Sequence, residues 1–320
     1  MLVETTNPQA CAIAGAMAAI AAARGADQAT AADRISLQCA YHYLLRQTDA
    51  LDLAALKQPT PAELAAALPD PGLRTHAARL LTVMAFVDGQ LDAVKIAGVL
   101  RYATALGIDE PYVQEIAEAA HGEVHRALVD MTRRNMQSIT GKPFLSDDAS
   151  AWFLPYRGDH ADPALAARYQ ALGALPEGTL GRAYWEQYTG NHYAFPGEPD
   201  ALNEAFATPH DCTHVLSGYD TNARGELLVS TFTAAMHPAL PLEGHILPVI
   251  FSWHLGIRIN DIAKSATGAL DPAAFWDAWD RGAAMATDLF APGWDFWRSV
   301  GETLTALRQR YGIPPKRVPD

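Results

Sequence analysis

The sequence predicts an all-α protein, a helical bundle in its first half followed by a second helical domain. Three observations predict it: apolar residues recur at three- and four-residue spacing in the long periodic segments, capping residues and helix-ending glycines separate those segments, and no stretch alternates apolar and polar residues as a half-buried strand does. The 320 residues are enough for one large or two ordinary domains, and 49% hydrophobic with 19% charged residues is a globular composition. The net charge of −12, with 24 basic against 36 acidic residues and no basic block, sets nucleic acid aside as a partner. Cys11, Cys39 and Cys212 are too few and too scattered for a disulfide framework or a CxxC site, which points to a reducing cytoplasm.

Taken in order, Asn7 and Pro8 read as the N-cap and first-position proline of a helix that Gly25 closes. Its alanine-rich run 10–23 is shorter than the ~20 residues that span a bilayer and follows Glu4 rather than a basic residue, so neither a signal peptide nor a membrane span is expected. Further helices are expected at 31–46, at 61–68 after Thr60, and at 73–86, 92–106 and 111–136; in 73–86, Leu80, Leu81, Met84 and Ala85 recur at helical spacing. The segment 87–92 lacks the alternating oxygen donors and sixth-position glycine of an EF-hand, so it reads as a turn with Asp92 as an N-cap. Proline and glycine cluster at 140–143 and 154–158 and mark a hinge or long connection, which divides the chain into 1–140 and 141–320.

In the second half, 175–184 reads as a turn that starts a helix, with Thr179 as its cap and Tyr184 along its first turns. The stretch His210-Asp211-Cys212-Thr213-His214 follows. A helix sets His214 beside both His210 and Asp211; Gly218 ends that helix, 219–222 turn the chain, and Glu226 falls in the first turns of the returning helix. Histidines at this spacing also occur as surface pairs or core residues, and the carboxylate on the next helix is what favours a metal. His210, Asp211, His214 and Glu226 form a nitrogen and oxygen donor set for one divalent transition ion, zinc by its motif, with iron, manganese or cobalt open. The apolar segment 246–257 reads first as a buried core helix and second as a tunnel wall or membrane contact. Tyr184 and Trp253 are candidate substrate contacts, and so is His254, which could also orient a ligand or pass a proton.

Two resemblances extend this reading. Residues 73–135 resemble the TerB-like helical domain named after tellurite-resistance proteins, on Pro71-Gly72-Leu73-Arg74 and the run LLTVMAFVDGQLDAVKIAGVLRYATALGID; Lys95 stands where that family usually has a glutamate, so a packing role is expected in place of an ion site. Residues 130–315 resemble the ubiquinone-biosynthesis family called COQ four. The resemblance rests on Leu175-Pro176 with Gly178-Thr179-Leu180-Gly181 and Tyr184, on the His-Asp-x-x-His motif with Gly225-Glu226 after it, and on the ending 307–313. The approach 204–209 departs from that family's usual Arg-Tyr-Arg-Glu. The COQ-four-like resemblance implies His210, Asp211, His214 and Glu226 as metal ligands and catalytic groups of an oxidative decarboxylase, working on the head group of a prenylated aromatic quinone precursor. It also implies peripheral attachment to the inner face of a membrane within a biosynthetic complex. Two other readings stay open: a non-catalytic lipid- or quinone-binding scaffold, and a metal-dependent hydrolase in which Asp211 replaces the glutamate base of HExxH. No sequence feature sets an oligomeric state.

Overall fold

Side-chain caps decide where the helices begin. The computed structural model describes residues 4–141, 161–259 and 264–318; most of the proline- and glycine-rich connection lies outside them. α1 (Asn7–Ala21) starts on Thr6, which exchanges two hydrogen bonds with Gln9, so the reciprocal capping box places the cap one residue before the expected Asn7. α2 (Ala31–Tyr43) and α3 (Pro61–Ala67) open on the same device, with Thr30 paired to Asp33 and Thr60 to Glu63. Asp70 caps α4 (Pro71–Met84), and Asp92 caps α5 (Ala93–Leu106), as its position in the sequence predicts. The single helix expected at 111–136 is instead two, α6 (Pro111–Ala120) and α7 (Val124–Thr140), because Gly122 takes a left-handed conformation at φ 85° and turns the chain.

After the connection come α8 (Pro163–Gln170), α9 (Leu180–Asn191), α10 (Glu204–Ser217) and α11 (Ala223–Met236). A wide-wound segment follows, π-helical at Pro241–Ile246 and Ile250–His254, and then α12 (Pro272–Ala284), α13 (Phe296–Ser299) and α14 (Leu304–Tyr311). The fold is all-α: among the described residues there is no strand, only the isolated bridges of Thr179 with Thr303 and Leu255 with Thr267. No helix among the described residues is long and apolar enough to cross a membrane.

Long-range polar contacts tie the early helices to the late ones. Trp276 on α12 donates its indole N–H to Ser36 on α2 at 2.7 Å, and Arg46 pairs with Asp280. In the Asp-Gly turn, Lys95 sits between Asp33 at 3.1 Å and Asp88 at 2.7 Å, and Arg24 holds Asp92 at 2.6 Å. The acids of that turn are therefore neutralised by lysine and arginine. α7 runs along the π-helical segment, where Asn135 donates to Gly244 O at 2.5 Å and Ser138 to Ala239 O at 2.6 Å. α11 and α12 pack closely because Gly282 lies where a Cβ would meet Phe232 O at 2.2 Å.

Candidate metal centre

The centre is built on the hairpin of α10 and α11. α10 carries His210, Asp211 and His214, and ends where Gly218 adopts the left-handed conformation at φ 80°. α11 starts on Asn222, whose side chain accepts from Gly225 N, and carries Glu226 in its first turn. Gly225 lets the hairpin close, since a Cβ there would lie 1.9 Å from Asp220 O. The chain thus returns with Glu226 level with the imidazoles: His210 Nε2 is 3.4 Å from one carboxylate oxygen, His214 Nε2 is 3.6 Å from the other, and the two Nε2 atoms are 3.3 Å apart. Zinc bonds to histidine and carboxylate run about 2.0–2.2 Å, which puts neighbouring donors of a tetrahedron about 3.3–3.6 Å apart. His210, Asp211 and His214 each also offer a donor atom within 4.8 Å of the others, so this group could hold a metal ion.

The surroundings orient those donors. His214 Nδ1 lies 3.1 Å from Tyr219 O, so Nδ1 carries the proton and the Nε2 lone pair points at the cluster. Asp211 accepts from Tyr188 OH at 2.6 Å and from Gln187 Nε2 at 3.2 Å. Phe206, one turn before His210, stacks on its ring at 5.1 Å. Burial opposes protonation of His214, but the Glu226 carboxylate and then Asp211 more than offset it, and its pKa lies above the ordinary imidazole value. For Glu226, burial is likewise outweighed by His210 and His214, which hold its carboxyl well below the usual range. Asp211 is raised, mainly by burial.

The cluster forms part of the wall of a mostly apolar cavity of about 520 Å³. His210, Asp211 and Glu226 line it together with Tyr188, Phe206, Trp253 and, from α7, Thr132, Asn135 and Ile139. Among the described residues four non-glycine residues have positive φ, and two of them, His192 and Asp200, are on this wall. The other sequence candidates separate here. Trp253 faces the cavity. Its neighbour His254 is held between Val87 O and Leu270 N, each at 3.2 Å, and is a buried tie between α4's end and the chain after the π-helical segment. Tyr184 is fully buried behind Tyr188, with ring centroids 4.5 Å apart, and its hydroxyl has no partner among the described residues.

Several residues of the site belong to no motif in the sequence. Tyr188 and Gln187 touch Asp211 from α9, and Tyr188 was legible only as the residue one turn beyond Tyr184. Ser230 and Thr233 continue the face of α11 that bears Glu226, at i+4 and i+7, and both line the cavity with His245 from the π-helical segment.

No protein-family model matches the chain. The ubiquinone biosynthesis protein COQ4 homolog, mitochondrial, of Xenopus tropicalis is 27% identical over 157 residues, which are 46% of this chain and 51% of that protein. The chain therefore spans about half the length of the curated relative it matches. A crystal structure of a "putative ubiquinone biosynthesis protein" from Nostoc punctiforme PCC 73102 shares 21% identity and covers 63% of this chain and 94% of that chain, with a TM-score of 0.32. Over the shared residues, the chain is similar to a COQ4 homolog of ubiquinone biosynthesis.

Proposed function

We propose that the chain is a metal-dependent enzyme acting on an aromatic, quinone-precursor-like substrate that carries a prenyl tail, with loss of a ring carboxylate as its reaction. The observation that carries this reading is the meeting of His210, His214 and Glu226 with their donor atoms 3.3–3.6 Å apart, beside an apolar cavity that His210 and Glu226 line. Three donors at those distances leave a coordination position for a ligand, whereas four tight protein ligands would make a closed structural site. Asp211 already accepts two hydrogen bonds, which favours it as the group that steadies Tyr188 and Gln187 beside the cluster. A divalent transition ion held there would supply electrostatic stabilisation of charge on ring oxygens. The chain's own residues do the rest: Phe206 and Trp253 offer flat apolar surface to a ring. The carboxylate leaves as carbon dioxide, a water oxygen takes its place on the ring as a hydroxyl, and the two electrons and two protons released pass to an acceptor such as dioxygen or a quinone.

The similarity to a protein named for ubiquinone biosynthesis supports the substrate class. Peripheral attachment at a membrane, membership of a biosynthetic complex and a packing role for the TerB-like half belong to the same proposal. A hydrolase would use Asp211, which accepts from Tyr188 and Gln187, as its base; peptide or ester turnover that survives Asp211→Asn would count against that reading.

Elemental analysis of untagged protein tests the centre. One transition ion per chain is expected in wild type and none in the His210→Ala/His214→Ala double variant; equal metal in both would remove the site. A strain lacking the gene should accumulate a carboxylated aromatic intermediate. A normal metabolite profile, with prenyl lipid bound equally by wild type and Glu226→Ala, would put the scaffold reading first.

A further inference from the structure

His214 stands in the last turn of α10, and Tyr219, just past that turn, supplies the carbonyl that orients its ring. A helix leaves its last four carbonyls without partners inside the helix. His214 O is met by Gly218 N at 2.8 Å. The next four are each met by a cation from far along the chain. Arg308 of α14 donates to Val215 O through Nη2 and to Leu216 O through Nε, both at 2.9 Å. Arg281 Nη2 of α12 donates to Ser217 O at 2.9 Å, and Lys316 Nζ to Gly218 O at 3.0 Å. Arg281 and Lys316 also lie over the ring of Tyr219, at 5.1 and 5.5 Å from its centroid. Every carbonyl between that of His214 and that of Tyr219 is therefore gripped from outside the hairpin.

Packing alone does not account for this arrangement. Arg281 is 3% exposed, its Nη1 has no partner among the described residues, and its Nε donates to Pro314 O at 2.8 Å rather than to a carboxylate. Arg308 likewise spends its fork on two carbonyls, a planar geometry that lysine does not reproduce. The two guanidiniums repel each other: burial, and then the charge of Arg281, hold the pKa of Arg308 below its ordinary value. What offsets these costs is the negative end of α10, where the helix dipole and the exposed carbonyls favour cations.

We propose that Arg281, Arg308 and Lys316 are positioning residues of the metal centre, which fix residues 215–219 and so hold the His214 ring with Nδ1 on Tyr219 O and Nε2 toward His210 and Glu226. None of the three touches a ligand atom; each acts through the backbone that His214 is bonded to. The chain ending from α14 onward thereby belongs to the centre. This inference rests on the metal reading for the ion, and on the hydrogen bonds alone for the orientation of His214.

Zinc titrations and cobalt(II) absorption spectra of the full chain test it. Arg308→Ala should weaken zinc binding by about 10- to 100-fold, the range for residues that orient a ligand, and should shift the cobalt bands while circular dichroism shows a folded chain. Arg308→Lys should fall between that variant and wild type. Arg310→Ala removes a cation of the same helix that pairs with Glu302 and should bind zinc as wild type does. Ethylguanidinium added to Arg308→Ala should restore its affinity, which a merely destabilised fold would not show. Lys316→Ala should lose affinity in the same sense and keeps the test open if Arg308→Ala does not fold. In metal-free chain labelled with ¹⁵N at histidine, His214 should be the Nδ1–H tautomer in wild type and a mixture in Arg308→Ala. Unchanged zinc affinity and cobalt bands in both Arg308→Ala and Lys316→Ala, or an equal loss in Arg310→Ala that ethylguanidinium leaves in place, would overturn the clamp. A wild type that binds no metal, yet shows the tautomer change in Arg308→Ala, would remove the ion and leave the clamp standing, so the two failures are distinguishable.

Discussion

At the scale of single residues, the protonation of the cluster governs how it can hold an ion. Protonated imidazole cannot ligate, and the pKa of His214 is raised because Glu226 and Asp211 outweigh the opposing effect of burial. Protons should therefore compete with metal at a higher pH than for an ordinary histidine near ~6.5. Affinity is expected to be full above the raised pKa and to fall as pH drops through it. Glu226→Gln removes the charge that raises His214, and metal titrations at a series of pH values should show the loss beginning at lower pH in that variant, from a weaker plateau. Tyr188 acts one contact further out. Tyr188→Phe leaves buried Asp211 with Gln187 as its remaining donor, and the expected results are a metal affinity lower by about 10- to 100-fold and a stability loss of about 1–3 kcal/mol by denaturant unfolding.

At the scale of elements, the α10–α11 hairpin is the device that turns a local sequence pattern into a site. Gly225 is its tightest point, since any side chain there meets the Asp220 carbonyl. Gly225→Ala should force the hairpin apart, lower the melting temperature and weaken metal binding together. Thr179→Ala, which removes the cap of α9, provides the contrast: the cap bond to Arg182 N is remote from the ions' donors, so about 1 kcal/mol of stability should be lost with metal content unchanged. If both variants lose metal in proportion to stability, the hairpin has no special role in shaping the centre.

At the scale of the whole molecule, the first half and the second share walls. α7 contributes Thr132, Asn135 and Ile139 to the cavity, and Ser138 of the same helix sets the tautomer of His245. The Asp-Gly turn has a different task. Lys95 is 3% exposed between Asp33 and Asp88, and removing the cation strands two acids in the interior. Lys95→Met should cost about 3–5 kcal/mol of stability in denaturant titration, with metal per folded chain unchanged. Loss of metal in a folded Lys95→Met protein would tie that turn to the centre.

By itself the sequence determined what is local. Apolar period, caps at Thr60, Asp92 and Thr179, and the terminating Gly218 place helices, because each depends on dihedral preferences and hydrogen bonds within a few residues. The proximity of His210, His214 and Glu226 was legible for the same reason: one helical turn and one short hairpin are geometries that a linear pattern specifies. The break at Gly122 was missed because the apolar period of α6 resumes in α7, and a glycine within such a period signals a turn only when the flanking faces pack differently. Only the tertiary structure decided that Trp253 faces the cavity while the adjacent His254 is tied to Val87 and Leu270, and that Tyr188 rather than Tyr184 reaches the site. It alone decided which nitrogen of His245 carries the proton, since Ser138, more than a hundred residues away in the chain, gives its own to Ala239 O and must accept from Nε2, and hydrogen-bond direction is set by the partner that packing supplies.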